Sequence, residues 1–301
     1  MNRRDFLGTA AVGAMGALGP LANSSAQPEP PDSGTAWLCV TCGTQFPLAV
    51  HPQPACPICQ DSRQYIGWNG QQWTKLDELR KTLENEITEE EPGVFSIHTK
   101  PNFAINQRAF LVKTTEGNVS WDSVALLDEK TKAEIRRLGG ISAIAISHPH
   151  FYTTMVEWSR AFDNAPIHLH ELNRQWVMRP DPSIRFWSGE VKRLTPSVTL
   201  IKTGGHFDGF QVLHWSRSHD GNGVLLVGDQ PDVCMDRNWV KFMYSYPNYI
   251  PLNRAAIHGI VAALNPYSFE RLHGAFTGQF LTRNAKEIVS RSAERYLAAI
   301  S

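Results

Sequence analysis

Two Cys-x-x-Cys pairs constrain this chain more than any other feature. Cys39-Val-Thr-Cys42 and Cys56-Pro-Ile-Cys59 are separated by 13 residues. Each pair can wrap one side of a tetrahedral ion, and four thiolates complete its shell. Gly43 follows the first pair and Pro57 stands inside the second, as tight knuckle turns require. Four protein donors leave no open position, so such a module is structural or electron-carrying rather than hydrolytic. Zinc and iron both accept four thiolates, and the spacing does not choose between them. Two disulfides are the competing arrangement in an oxidising compartment, although paired knuckles suit an ion better than bridges. Cys234 is left over, and a lone cysteine reads as a small buried hydrophobe.

The paired knuckles resemble the rubredoxin-like zinc ribbon, in the short-loop form appended to rubrerythrins. The resemblance covers about residues 37–62 and implies a small ribbon module over residues 37–65.

Upstream lies Met1-Asn-Arg-Arg-Asp-Phe-Leu-Gly, then an uncharged apolar stretch from Phe6 to Ala22, then Ser24-Ser25-Ala26. A basic start, an apolar middle and a small-residue end form the grammar of an export signal. Arg3-Arg4-x-Phe6-Leu7 resembles the twin-arginine type. The expectation is a signal peptide over 1–26 and a Pro-rich linker over 27–36. The twin-arginine export machinery is then a partner, and the address is periplasmic or secreted. That route carries folded proteins, so a metal can be loaded before export. The apolar stretch is rich in Gly and Ala and contains Pro20, which argues against a stable membrane span. Lys plus Arg and Asp plus Glu both number 29 in 301 residues. A zero net charge excludes nucleic-acid binding by bulk charge, which needs a basic surface to displace counterions.

The remainder, over residues 90–301, alternates strands with helices, the signature of an α/β class. Phe110 to Thr114 and Val119 to Asp122 read as a hairpin around Gly117-Asn118. Asp128 to Leu138 has helical apolar spacing and ends at Gly139-Gly140. Ile141 to Ile146 and Gly223 to Gly228 are short apolar runs, hence buried strands. Tyr152 to Phe162, Glu171 to Met178, Leu252 to Leu264 and Asn284 to Ile300 fit helices.

Histidines fall where these strands end. His148-Pro149-His150 follows the first buried run. In extended backbone, residues i and i+2 point to one side, so both imidazoles can reach one metal. Gly204-Gly205-His206 ends a second strand, Gly228-Asp229 a third, and His273 follows Arg271-Leu272. Singly, each histidine fits ordinary hydrogen-bonded structure. His168 and His170 share His-x-His spacing, but an alternating strand can carry a polar face without chemistry. Asp208 can orient a ligand or simply serve a turn. Trp158, Trp176, Trp187 and Trp239 can line a pocket, although aromatics are core residues by default.

As an ordered set, these segments resemble the metallo-β-lactamase superfamily, from about Phe110 to Phe276. The resemblance implies a four-layer αββα sandwich behind the ribbon. It implies a first metal site on His148, His150 and His206, a bridging Asp229, a last metal histidine at His273 and a structural Asp122. There is a departure from the motif His-x-His-x-Asp-His. Tyr152 stands for its aspartate and Thr153 for its final histidine. Both belong to a second metal site, so one ion is expected rather than two.

The expected function is a metal-dependent hydrolase with a zinc-activated water attacking an ester, thioester or amide of a small-molecule substrate. Asp229 would manage the proton, and Tyr152 would donate to an oxyanion. One alternative is a rubredoxin-linked oxidoreductase of flavodiiron type, with iron in the knot. Another is a non-catalytic metal-binding protein.

Overall fold

The computed structural model describes residues 34–300. The signal over 1–26 and most of the linker over 27–36 lie outside the described residues. Among those described, no helix is long and apolar enough to cross a membrane.

Two sheets are stacked through their apolar faces. The first has seven strands, in the order Ile184–Trp187, Ile167–His170, Ala143–Ala145, Val119–Trp121, Arg108–Val112, Val94–Lys100 and Glu84–Glu91. The second has six: Val191–Arg193, Val198–Lys202, Gln211–Trp215, Val224–Leu226, Arg271–His273 and Phe280–Leu281. Val94, Phe110 and Trp121 from the first sheet meet Leu200, Leu213 and Leu226 from the second in a closed inner core. The outer face of the first sheet is covered by helices Glu129–Arg137 and Met155–Ala161. Arg254–Leu264 and Ala285–Ala299 cover the second. The result is helix, sheet, sheet, helix: the metallo-β-lactamase fold.

Local chemistry explains the boundaries. Asp128 caps Glu129–Arg137 by accepting from Thr131 N at 2.7 Å. Glu129 at the start and Arg136 and Arg137 at the end suit the helix dipole. Residues 171–178, expected as a helix, form only the 3₁₀ turn Glu171–Trp176. The strand Glu84–Glu91 is too acidic to show an apolar period. It is held as an edge by antiparallel pairing with Val94–Lys100.

Ahead of the sandwich, Thr35–Cys39 pairs with Gln45–Ala49 and with Trp73–Thr74 in a small sheet around the cysteines. The ribbon's strands therefore extend past residue 65. The ribbon is joined to the sandwich, with Gln45 N donating to Thr153 O at 3.0 Å.

Candidate metal centre

The four cysteines are buried and free of disulfides. Cys39 Sγ lies 3.6 Å from Cys59 Sγ, and Cys42 Sγ lies 3.8 Å from Cys56 Sγ. A disulfide needs about 2.0 Å, whereas thiolates arranged tetrahedrally at about 2.3 Å from an ion sit about 3.8 Å apart. The donor set therefore fits an ion. Gln71, not singled out in the sequence, supports it: Nε2 donates to Cys39 Sγ at 3.2 Å and Oε1 accepts from Cys56 N at 3.0 Å.

The second cluster forms at the edge of the sandwich, where strands of both sheets end. Val119–Trp121 runs parallel to Ala143–Ala145, so Asp122 and His148 emerge at one edge. Val198–Lys202 and Val224–Leu226 each run antiparallel to Gln211–Trp215, so His206 and Asp229 leave the second sheet in a common direction. Gln211 ties the sheets together, its N donating to Ser147 O at 3.1 Å and its Nε2 to Ile146 O at 2.7 Å.

His148, His150, His206 and Asp229 are all buried, and one ligand atom from each lies within 4.8 Å of the others. His150 Nδ1 is 3.3 Å from His206 Nε2, and Asp229 Oδ2 is 3.3 Å from His148 Nε2 and 3.9 Å from His206 Nε2. Donors held tetrahedrally at about 2.0–2.1 Å from zinc are about 3.3–3.4 Å apart. His148 Nε2, one of the converging donor atoms, makes no aligned hydrogen bond within the protein. Buried polar atoms left this way are what an inward-facing ion site requires.

The two histidines of His148-Pro149-His150 do not converge by extended alternation. Only His148 is extended, and Pro149–Phe151 is a 3₁₀ turn. Convergence is restored by using different ring nitrogens, Nε2 of His148 and Nδ1 of His150. Asp122 Oδ1 accepts from Ser147 N at 2.7 Å and from Ser147 Oγ at 2.8 Å. Ser147 Oγ in turn lies 2.9 Å from His148 Nδ1. With the serine hydroxyl donating to Asp122, it accepts from Nδ1–H, which leaves the His148 Nε2 lone pair facing inward. His206 Nδ1 likewise donates to Tyr244 O at 2.7 Å. Gly228 has φ of 61°, and a Cβ there would stand 2.6 Å from Ser147 Oγ, so only glycine leaves room for this chain of contacts.

Burial lowers His206 to about 4 and holds His150 well below its ordinary value, so both rings are neutral lone-pair donors. Burial pushes Asp229 upward, but His148 and His206 more than offset it and hold the carboxylate below its usual range.

Two expected site residues lie elsewhere. His273 is not with the cluster: its Nε2 is 2.6 Å from Glu91 Oε1. The reason is register, since His273 pairs with Leu226, three residues short of Asp229. Phe276, three residues further on, lines the metal pocket instead. Tyr152 is 1% exposed and belongs to the core against Phe151 and Trp158, so its phenol is a packing group rather than an oxyanion donor. Burial raises its pKa, with Asn173 opposing. Thr153 Oγ1 bonds Ser123 Oγ at 2.7 Å. His170 is bonded to Gly189 O, Asp208 is exposed, and Cys234 is in neither donor set.

The pocket over the cluster measures 560 Å³. Asp232 and Lys241 line it as an ion pair at 2.9 Å. Burial raises Asp232 to about 6, although Lys241 opposes the shift. Arg63, from just past the ribbon's last cysteine, also lines the pocket. It lies 3.8 Å over Phe207 and donates from Nη1 to His206 O at 3.2 Å. No spacing in the sequence announces Arg63, Asp232 or Lys241.

Solved structures share this fold. DIM-1 metallo-β-lactamase superposes with a TM-score of 0.53 at 11% identity, covering 72% of this chain and 99% of its own. VMB-1 gives 0.54 at 11% identity, with the same coverage. The class of the chain is thus a metallo-β-lactamase-fold protein carrying two metal-donor clusters. Within that class, it belongs to the family of the Bacillus subtilis (strain 168) protein YmaE, which is described as uncharacterized. The two are 48% identical over 267 residues, 88% of this chain and 97% of YmaE. No family model matches the chain.

Proposed function

We propose that this chain is an exported metal-dependent hydrolase with one catalytic ion, acting on an ester, thioester or amide of a small-molecule substrate. The observation that carries the reading is the convergence of three imidazoles and one carboxylate beneath an open pocket. His148, His150 and His206 would hold the ion, leaving its fourth position open beside Asp229, and zinc suits such a three-nitrogen set. When bound, the ion supplies Lewis acidity and lowers the pKa of a coordinated water to about 7.

The chain's own groups divide the remaining work. Ser147 and Tyr244 fix which nitrogen of His148 and His206 faces inward. Asp229, held ionised, would stand beside the ion. Asp232 lines the same pocket and burial raises it to about 6, so it is the carboxylate that would take and return a proton. Lys241 keeps that carboxylate oriented. The four-cysteine knot has no open position and would hold zinc or iron as a structural ion.

Reconstituted and chelated protein should be compared on aryl esters, thioesters and β-lactams. Turnover is expected only with metal, and none in His148→Ala. Turnover that survives metal removal contradicts the reading. The oxidoreductase alternative gains nothing from the structure: the described residues offer one histidine-carboxylate cluster, and its donors fit a single ion.

A further inference from the structure

The ribbon builds part of the pocket as well as closing on its own ion. Arg63, Gln64 and Tyr65, just past Cys59, form one wall over the histidine cluster. Beyond that wall a second groove of 880 Å³ opens along the ribbon, lined by Tyr65, Ile66 and Trp68 and by Pro247 and Asn248 across from them. Gln64, Tyr65 and Pro247 line both spaces, so the groove adjoins the metal pocket across that wall. The wall is fixed in place. Ser245 Oγ donates to Arg63 O at 3.2 Å, Asn248 Nδ2 donates to Ser62 O at 3.0 Å, and the Ser62 and Tyr244 hydroxyls are 2.8 Å apart.

The chemistry of this surface selects what it holds. Its charges are internally paired, Asp61 with Arg63 at 2.6 Å and Lys241 with Asp232 at 2.9 Å. Its unmatched groups are apolar and aromatic: Trp68 is fully exposed and Tyr65 is 46% exposed. An indole and a phenol ring standing open beside a reaction pocket favour an uncharged apolar chain over an anion.

We propose, resting on the hydrolase reading, that the ribbon groove is the substrate's chain-binding subsite. The substrate is then an ester or thioester carrying an elongated, uncharged apolar acyl chain. Its scissile carbonyl enters the metal pocket while the chain lies across Tyr65 toward Trp68.

The test uses metal-loaded protein and p-nitrophenyl esters from acetate to decanoate. The kcat/KM is expected to rise about tenfold or more from two to eight carbons, well below the limit for a chain wholly removed from water. Trp68→Ala and Tyr65→Ala should each flatten that rise while retaining both metal ions. A flat series in the wild type, or a rise that both variants preserve, overturns the proposal and leaves the hydrolase reading intact. Calorimetric binding of 1-octanol separates the other case. If no ester is cleaved yet octanol binds and Trp68→Ala weakens it, the groove stands as a chain-binding site and the hydrolase reading falls. If octanol binds equally to wild type and variant, the groove fails as well.

Discussion

The four-cysteine knot and the histidine cluster present four donors each, but they are assembled by opposite means. Cys39 and Cys59 are 20 residues apart, and the knot needs only two knuckle turns and a small sheet. His150 and His206 are 56 residues apart, and their meeting requires both sheets of the sandwich to be in register. The knot is wrapped in its own short strands, with all four cysteines buried. The histidine cluster lies at a strand-end rim beneath a 560 Å³ pocket. A locally built site can be closed and inert, whereas a site built between sheets inherits the crevice where those sheets end. The two are also joined, because Arg63 runs from the ribbon to the backbone of His206.

The largest expected effect breaks one centre alone. His148→Ala should abolish one bound ion and lower turnover by roughly 10³-fold or more, since three-ligand catalytic sites rarely survive loss of a ligand. Circular dichroism should show the sandwich intact. Cys39→Ser/Cys42→Ser should remove the other ion and lower the melting temperature. It should also raise KM for long-chain esters, because the pocket wall at 63–65 depends on the ribbon. Unchanged kinetics in that variant would separate the two regions completely.

A smaller effect concerns pH. Burial raises Asp122 to about 8. A carboxyl raised on folding binds more protons in the folded than in the unfolded state between about pH 4 and 8, so stability falls as pH rises through that window. In metal-free protein the slope should reach at most about 1.4 kcal/mol per pH unit, and Asp122→Asn should remove it. Denaturant midpoints at pH 5 and pH 8 measure this directly. The smallest effect is that of Arg63→Ala. Loss of its contact with His206 O should weaken binding of the catalytic ion several-fold by chelator competition, the scale of a single hydrogen bond. The ribbon ion should stay in place.

Legibility in the sequence follows the same division. The knot was readable because its donors are local and their spacing is itself the geometry. Asp128 and the Gly139-Gly140 pair marked a helix for the same reason. His148, His150, His206 and Asp229 were readable as strand-end residues, but their partners were not. Tyr244, Arg63 and Asp232 reach the cluster through folding alone. His273 misled because a histidine ending a strand looks alike whether it stops level with Leu226 or reaches the rim. Tyr152 misled because position after a metal motif does not reveal which way a side chain packs. The edge strand Glu84–Glu91 was hidden by its charge, since cross-strand pairing with Val94–Lys100 sustains it rather than apolar alternation.

The chain presents two separate metal-donor clusters, one closed and one open, and each should hold its own ion. Elemental analysis of the purified protein and of His148→Ala tests it most directly. About two ions per chain in the wild type, falling to one in the variant with the cysteine-bound ion retained, is the predicted result. A variant that keeps both ions, or a wild type whose only metal is lost with the cysteines, would contradict it.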